Sequence, residues 1–315
     1  MMPSLQERLA GAVWGHLVGD AVGVPYEFRS AGQIGEVEFR GGGSHGVPAG
    51  TWSDDGALML ALLDSLQRET APGEERFDTT DQARRFVAWM DEGAYTPDGE
   101  GKFDIGITTV TALRAFRDGA SAEEAGGTRE RNNGNGSLMR ILPIALVERD
   151  LDDGALVEHA HRSSVITHGH AIAQVCCALY VLVARNLVDG QSRDEALPAA
   201  SERLRELYVE RPDAAARLKV LDLVEGYGDR TGSGYVVDAF WSAWDALAGS
   251  SSYAETITRA VKYGNDTDTT ACIAGGLAGI TYGYAGIPPE WLDGMRGADV
   301  VRPAVARLEA GTGQP

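Results

Sequence analysis

The chain has 315 residues, 43% apolar and 23% charged, which is enough for a sizeable core and ordinary for a globular protein. Its formal net charge of −18 is not ordinary. So acidic a chain is not expected to take nucleic acid as a partner, since a phosphate backbone needs clustered Lys and Arg; divalent cations suit it better.

From the N-terminus, Glu7 and Arg8 interrupt the apolar core that a signal peptide would need. Leu9, Val13, Leu17 and Ala21 then recur at helical spacing, as do Gly11, Gly15, Gly19 and Gly23. Further helices are expected over 57–68, 80–91, 107–117, 138–148, 154–164, 170–187, 193–209, 236–248 and 253–262. The segment from Gly275 repeats the glycine device at Gly279 and Gly283. VEFRGG at 37–42 is the one tolerable strand. Loops are expected at Gly41–Gly46, Tyr95–Gly101, Gly126–Gly136 and Gly226–Gly234. AIAQVCCALYVLVA is too short to span a bilayer and runs into Arg185, so no membrane association is expected. Cys176, Cys177 and Cys272 lie in apolar runs without CxxC spacing, which fits buried thiols in a reducing, cytoplasmic setting. No linker or fixed-period repeat divides the chain, and the expectation is one all-α domain over residues 1–315.

The two glycine stripes predict a geometry. Each interior glycine costs about 1 kcal/mol of helix propensity relative to alanine, so close backbone approach should offset it. If the two helices pack antiparallel, the end of the first meets the start of the last, and Glu27 lies beside Asp266 and Asp268.

Carboxylates open two apolar helices. Ser53-Asp54-Asp55 precedes the run from Leu58, and Asp266-Thr-Asp268-Thr269 precedes the run from Ala271. Ser and Asp there can be N-caps, or an oxygen-only ligand set for Mg²⁺, Mn²⁺ or Ca²⁺. Both readings stand on spacing alone. Neither stretch is a calcium hand, since Ala271 occupies the position that needs glycine. Gly134, Asn135, Gly136 and Ser137 precede another apolar segment, either as a small-residue turn or as a phosphate cradle; no GKS or GKT follows. His159, His161, His168 and His170 lack the spacing of a zinc site and read as hydrogen-bonding histidines. Asp104 stands before a helix as a cap or a general base.

Taken in order, GDAVGVPYEF, GTWSDDGALML, FDIGITT, GNGSLMR, THGH, GYVVDAF and GNDTDTTACIAGGLAG resemble the ADP-ribosylglycohydrolase family. That family includes dinitrogenase reductase-activating glycohydrolases and ADP-ribosyl-arginine and ADP-ribosyl-serine hydrolases. The resemblance implies an all-α fold with a binuclear Mg²⁺ or Mn²⁺ centre. It implies metal ligation by Ser53, Asp54, Asp55, Asp266, Asp268 and Thr269, with Ser53 where the family usually has threonine. It also implies catalytic work by Asp104, Glu27 and Asp55, and ADP-ribose contacts from Gly134, Asn135, Gly136, Ser137, His168 and Tyr235. Gly56 stands where many relatives carry threonine, so a hydroxyl near the metals is expected to be lost.

The expected activity is metal-dependent hydrolysis of the glycosidic bond between ADP-ribose and an acceptor on a protein or small conjugate, arginine being mildly preferred. The competing readings are a metal-dependent phosphohydrolase of a nucleotide-sugar and a non-catalytic ADP-ribose-binding relative.

Overall fold

The computed structural model describes residues 2–71, 75–97 and 101–311. Helix α1 (Leu5–Gly23) begins where the Ser4 hydroxyl accepts from the Glu7 amide at 3.2 Å. It packs antiparallel against α12 (Thr267–Tyr282), and this is the closest helix pair in the molecule. A Cβ placed on Gly11 would lie 2.2 Å from the Gly279 carbonyl oxygen, one on Gly15 2.5 Å from that of Gly275, and one on Gly19 2.2 Å from that of Ala271. At the far end a Cβ on Gly23 would lie 2.4 Å from Asp268 Cα. The stripes are therefore a backbone-to-backbone seam, as the spacing predicts.

The remaining helices wrap this pair. On one side, α2 (Asp54–Leu66) packs on α3 (Thr79–Glu92), and α3 on α4 (Ile107–Arg117). On the other, α10 (Val236–Ala248) and α11 (Tyr253–Lys262) lie on α12. Helix α7 (Ala171–Val188) runs through the interior, touching α5 (Leu142–Val147), α6 (Asp153–Val165), α8 (Arg193–Val209) and α9 (Ala214–Glu225). It is longer than its apolar run suggests and passes a length-and-hydropathy test for a membrane span, but 89% of it is buried within the fold. It is a core helix. Helices α13 (Pro289–Gly294) and α14 (Ala298–Ala310) close the chain.

Several expectations change. No strand forms at 37–42: Gly42 makes only an isolated bridge to Val47, and Gly42, Gly43 and Gly46 have positive φ that turns the chain back on itself. The Tyr26 hydroxyl, accepting from the Glu38 amide at 2.8 Å, pins this segment instead of a partner strand. The helix expected at 138–148 shortens to α5, because Pro143 has no amide to donate and fits only a helix's first turn. Helices α9, α13 and α14 go unread in the sequence, although Val301, Ala304, Val305 and Leu308 bury one face of α14. The Tyr95–Gly101 loop falls partly outside the described residues. All three cysteines are free and buried, as expected.

Candidate active site

The seam delivers carboxylates. Where α1 ends and α12 begins, oxygens of Glu27, Asp266 and Asp268 lie within 4.8 Å of one another. Asp20, one turn before the end of α1, forms a second such group with Asp55 and Asp268. Glu27, His45 and Asp104 form a third. Glu27, Asp54, Asp55, Asp104 and Asp266 face one cavity of about 320 Å³, and no Lys or Arg stands among its described lining residues.

Local structure explains each placement. The Ser53 hydroxyl accepts from the Asp55 amide at 3.2 Å, capping α2 and aiming both aspartates at the cavity. Its own amide and that of Gly56 donate to Asp20, at 3.0 and 2.8 Å. The Asn135 side-chain amide donates to Asp266 at 2.8 Å, and the Thr269 hydroxyl to Asp55 at 3.3 Å. Phe28, Asp104 and Asn265 all hold left-handed backbone angles, φ of 65°, 61° and 59°. Such strain in non-glycine residues costs about 1–3 kcal/mol each and gathers at functional sites. The Phe28 amide donates to the Asn265 carbonyl at 2.8 Å and the Asn265 amide to that of Arg29 at 2.7 Å, tying the Glu27 loop to the start of α12.

Burial and mutual repulsion raise Glu27, Asp20, Asp54, Asp55, Asp104 and Asp268 above the ordinary carboxylate range. Burial first, then Asp104 and Asp266, pushes Glu27 up to about 9. Burial is also the largest cause for Asp20 and Asp104, each pushed up to about 7, and for the strongly raised Asp54, Asp55 and Asp268. His45 meets Glu27 at 2.5 Å in ion-pair geometry. Burial lowers His45 and raises Glu27, so both shifts disfavour separated charge across this contact. His16, fully buried a turn before Asp20, is lowered by burial to about 4 and stays neutral.

The residues present fit a hard divalent cation. Their donors are oxygens, they converge, and Asp268 Oδ2 is buried with no hydrogen-bond partner at all. An unpartnered buried carboxylate oxygen is costly unless a cation meets it. The raised carboxylates also give a stability prediction. The native state keeps protons that the unfolded chain releases above about pH 4, so the contribution of these carboxylates to metal-free stability falls as pH rises through about 7 and 9. Thermal melts in EDTA should show Tm falling from mildly acidic to alkaline buffer, with a shallower slope for Glu27→Gln and a smaller fall when Mg²⁺ is added. A Tm that rises with pH in EDTA would contradict this.

Gly134, Asn135, Gly136 and His168 line the same cavity. A Cβ on Gly136 would come within 2.8 Å of His168 Cε1 and 3.0 Å of Thr109 Oγ1, so only glycine lets this wall close. His168 is lowered by burial to about 3, and its Nδ1 bonds the Thr167 hydroxyl at 2.8 Å. Below the turn, buried Arg140 donates to the Gly136 and Ser163 carbonyls and lies over the Phe86 ring.

Two expected contact residues do not line the cavity. The Ser137 hydroxyl, fully buried, accepts from Ser164 at 2.9 Å and from Cys177 at 3.4 Å. The Tyr235 ring packs edge-on to Tyr227; its backbone bridges Gly134 and so holds the turn from outside. Gly56 carries no missing hydroxyl for the metals either. A Cβ there would point at Leu17 and Trp52, 2.7 and 2.8 Å away in the core, because the Gly56 amide is turned toward Asp20. His159 stacks on Phe77 and His161 bonds Tyr208, both structural as expected, while His170 caps α7. Sequence reasoning passed over Asp20 and His45. A lone acid on the buried stripe of α1 was a signal for Asp20; nothing local marks His45.

The ADP-ribosylglycohydrolase family model matches residues 1–315. The chain belongs to that family. ADP-ribosylarginine hydrolase Tri1 of Pseudomonas putida (strain GB-1) is 32% identical over 292 residues, 91% of this chain and 74% of that protein. ADP-ribosyl-(dinitrogen reductase) glycohydrolase of Rhodospirillum rubrum is 28% identical over 300 residues, covering 92% and 90%. A solved structure, an ADP-ribosylglycohydrolase-related protein complex, superposes with a TM-score of 0.78 at 31% identity, covering 96% of this chain and 97% of that one. As an ADP-ribosylglycohydrolase, the chain is a hydrolase with an all-α fold, and the resemblance seen in its motifs holds across its length.

Proposed function

We propose that this chain, acting as one domain, hydrolyses the bond between ADP-ribose and an arginine side chain, using a pair of Mg²⁺ or Mn²⁺ ions. The observation that carries this reading is the convergence of Asp55 and Asp266 on Asp268 beside a cleft that Asp54 and the Gly134–Gly136 turn also line. Its likeness to an ADP-ribosylarginine hydrolase supports the arginine acceptor. Asp54, Asp55, Asp266 and Asp268, with Thr269 and the Ser53 cap, would hold the ions. Bound there, the ions supply positive charge that offsets carboxylate repulsion and polarises the hydroxyls of the sugar.

The chain's own groups do the rest. Gly134 and Gly136, lacking side chains, let the diphosphate approach the backbone, and neutral His168 braces that wall. Carboxylates around the anomeric carbon stabilise the positive charge that develops as the glycosidic bond lengthens. Glu27, protonated, gives its proton to the departing nitrogen; Asp104, the more readily ionised neighbour, takes one from the attacking water. Water's hydroxyl ends on the anomeric carbon and its proton balance on the leaving guanidine. The expected product is free ADP-ribose, identified by chromatography of the reaction. AMP or phosphate in its place would favour the phosphohydrolase reading.

A further inference from the structure

Six large apolar side chains are well exposed on the described surface, and two of them, Phe28 (67%) and Ile107 (85%), stand at the mouth of the acidic cavity. A scattered exposed apolar residue needs no explanation. Phe28 is different, because its ring is carried on a left-handed backbone that disfavours any side chain, and a bond to Asn265 keeps it there. The ring lies 5.8 Å from that of His45, which lies 4.7 Å from Phe103. This aromatic row borders Glu27 and Asp104.

If Glu27 gives its proton to the departing nitrogen, the acceptor leaves beside Glu27, and Phe28, the next residue, is the exposed ring at that point. We propose that Phe28 is the platform for the acceptor's guanidinium, with Ile107 the facing lip for its methylenes, and that together they set a preference for a cationic acceptor. This inference rests on the function proposed above. A guanidinium is planar and weakly hydrated and stacks on an aromatic face, and a lining without Lys or Arg offers it no competing cation. Phe28 is a specificity residue that touches substrate and takes no part in proton transfer.

The test compares wild type, Phe28→Ala, Phe28→Gly and Phe28→Tyr with Mg²⁺ on arginine-linked and serine-linked ADP-ribosyl peptides, with calorimetry of free ADP-ribose. Loss of a ground-state contact raises KM and spares kcat. Phe28→Ala is expected to raise KM for the arginine-linked peptide about tenfold. Its kcat, its serine-linked KM and its affinity for ADP-ribose should stay within about twofold. Phe28→Tyr should behave as wild type. Phe28→Gly relieves the backbone strain, so it should melt higher than wild type and still show the raised KM, which separates loss of the ring from misfolding. An unchanged arginine-linked KM, or an equal loss of ADP-ribose affinity, would overturn the platform while leaving the proposed activity intact. Wild type active only on the serine-linked peptide would overturn both.

Discussion

Asp268→Asn should remove metal-dependent turnover by at least about 100-fold, since even partners of metal ligands typically cost 10–100-fold when replaced. The fold should survive and gain. In the metal-free protein Asp268 faces Glu27, Asp55 and Asp266 from a fully buried position, with Oδ2 unpartnered. An amide there adds no charge and can donate to any of those neighbours. The variant should therefore melt higher than wild type in EDTA and lose the stabilisation that Mg²⁺ gives wild type. Activity and stability move in opposite directions, as expected where a site is kept strained for function. Circular dichroism melts with and without Mg²⁺, alongside turnover, read both effects. Near wild-type activity at saturating Mg²⁺ would remove Asp268 from the ligand set.

Gly279→Ala is the second large effect. Alanine is the better helix former by about 1 kcal/mol, which alone would stabilise α12. Its Cβ, however, would sit 1.8 Å from the Gly11 carbonyl oxygen, backbone against backbone, where no rotamer change can relieve the clash. The helices must part or slide, and overpacking of this kind costs typically 1–3 kcal/mol. A net loss of up to about 2 kcal/mol and a Tm drop of roughly 3 °C are expected. Metal affinity should fall too, because α1 leads to Asp20 and Glu27 while α12 starts with Asp266 and Asp268. Gly32→Ala, with nothing within 4 Å of the added carbon, is the matched control and should be nearly neutral. Equal melting of the two variants would mean the seam tolerates separation.

The sequence made the site's acids legible for a physical reason. The four-residue glycine spacing on two helices calls for close packing, and the antiparallel arrangement found brings Glu27 to Asp266 and Asp268, as expected for that arrangement. Ser53 was ambiguous between cap and ligand, and the structure shows the cap bond that also aims Asp54 and Asp55. What escaped depended on contacts distant in sequence. His45 reaches Glu27 across 18 residues from the Gly41–Gly46 loop, whose path back to the site nothing local dictates. Ser137 looked like part of a phosphate cradle, but its hydroxyl faces Ser164 and Cys177, which local spacing does not reveal. Gly56 looked like a lost hydroxyl until its Cβ direction, toward Leu17 and Trp52, was known. Helix α14 carries Pro303 inside it, which hid an otherwise regular buried face.

Release of free ADP-ribose from an arginine-ADP-ribosylated protein, measured with Mg²⁺ or Mn²⁺ and again with EDTA, tests the metal-centred glycohydrolase most directly. Release that disappears in EDTA and returns on adding either ion is the expected result, with the serine-linked substrate turned over more slowly. Release undiminished by EDTA would contradict a metal centre built from Asp54, Asp55, Asp266 and Asp268, and no release from either substrate with either ion would contradict the activity itself.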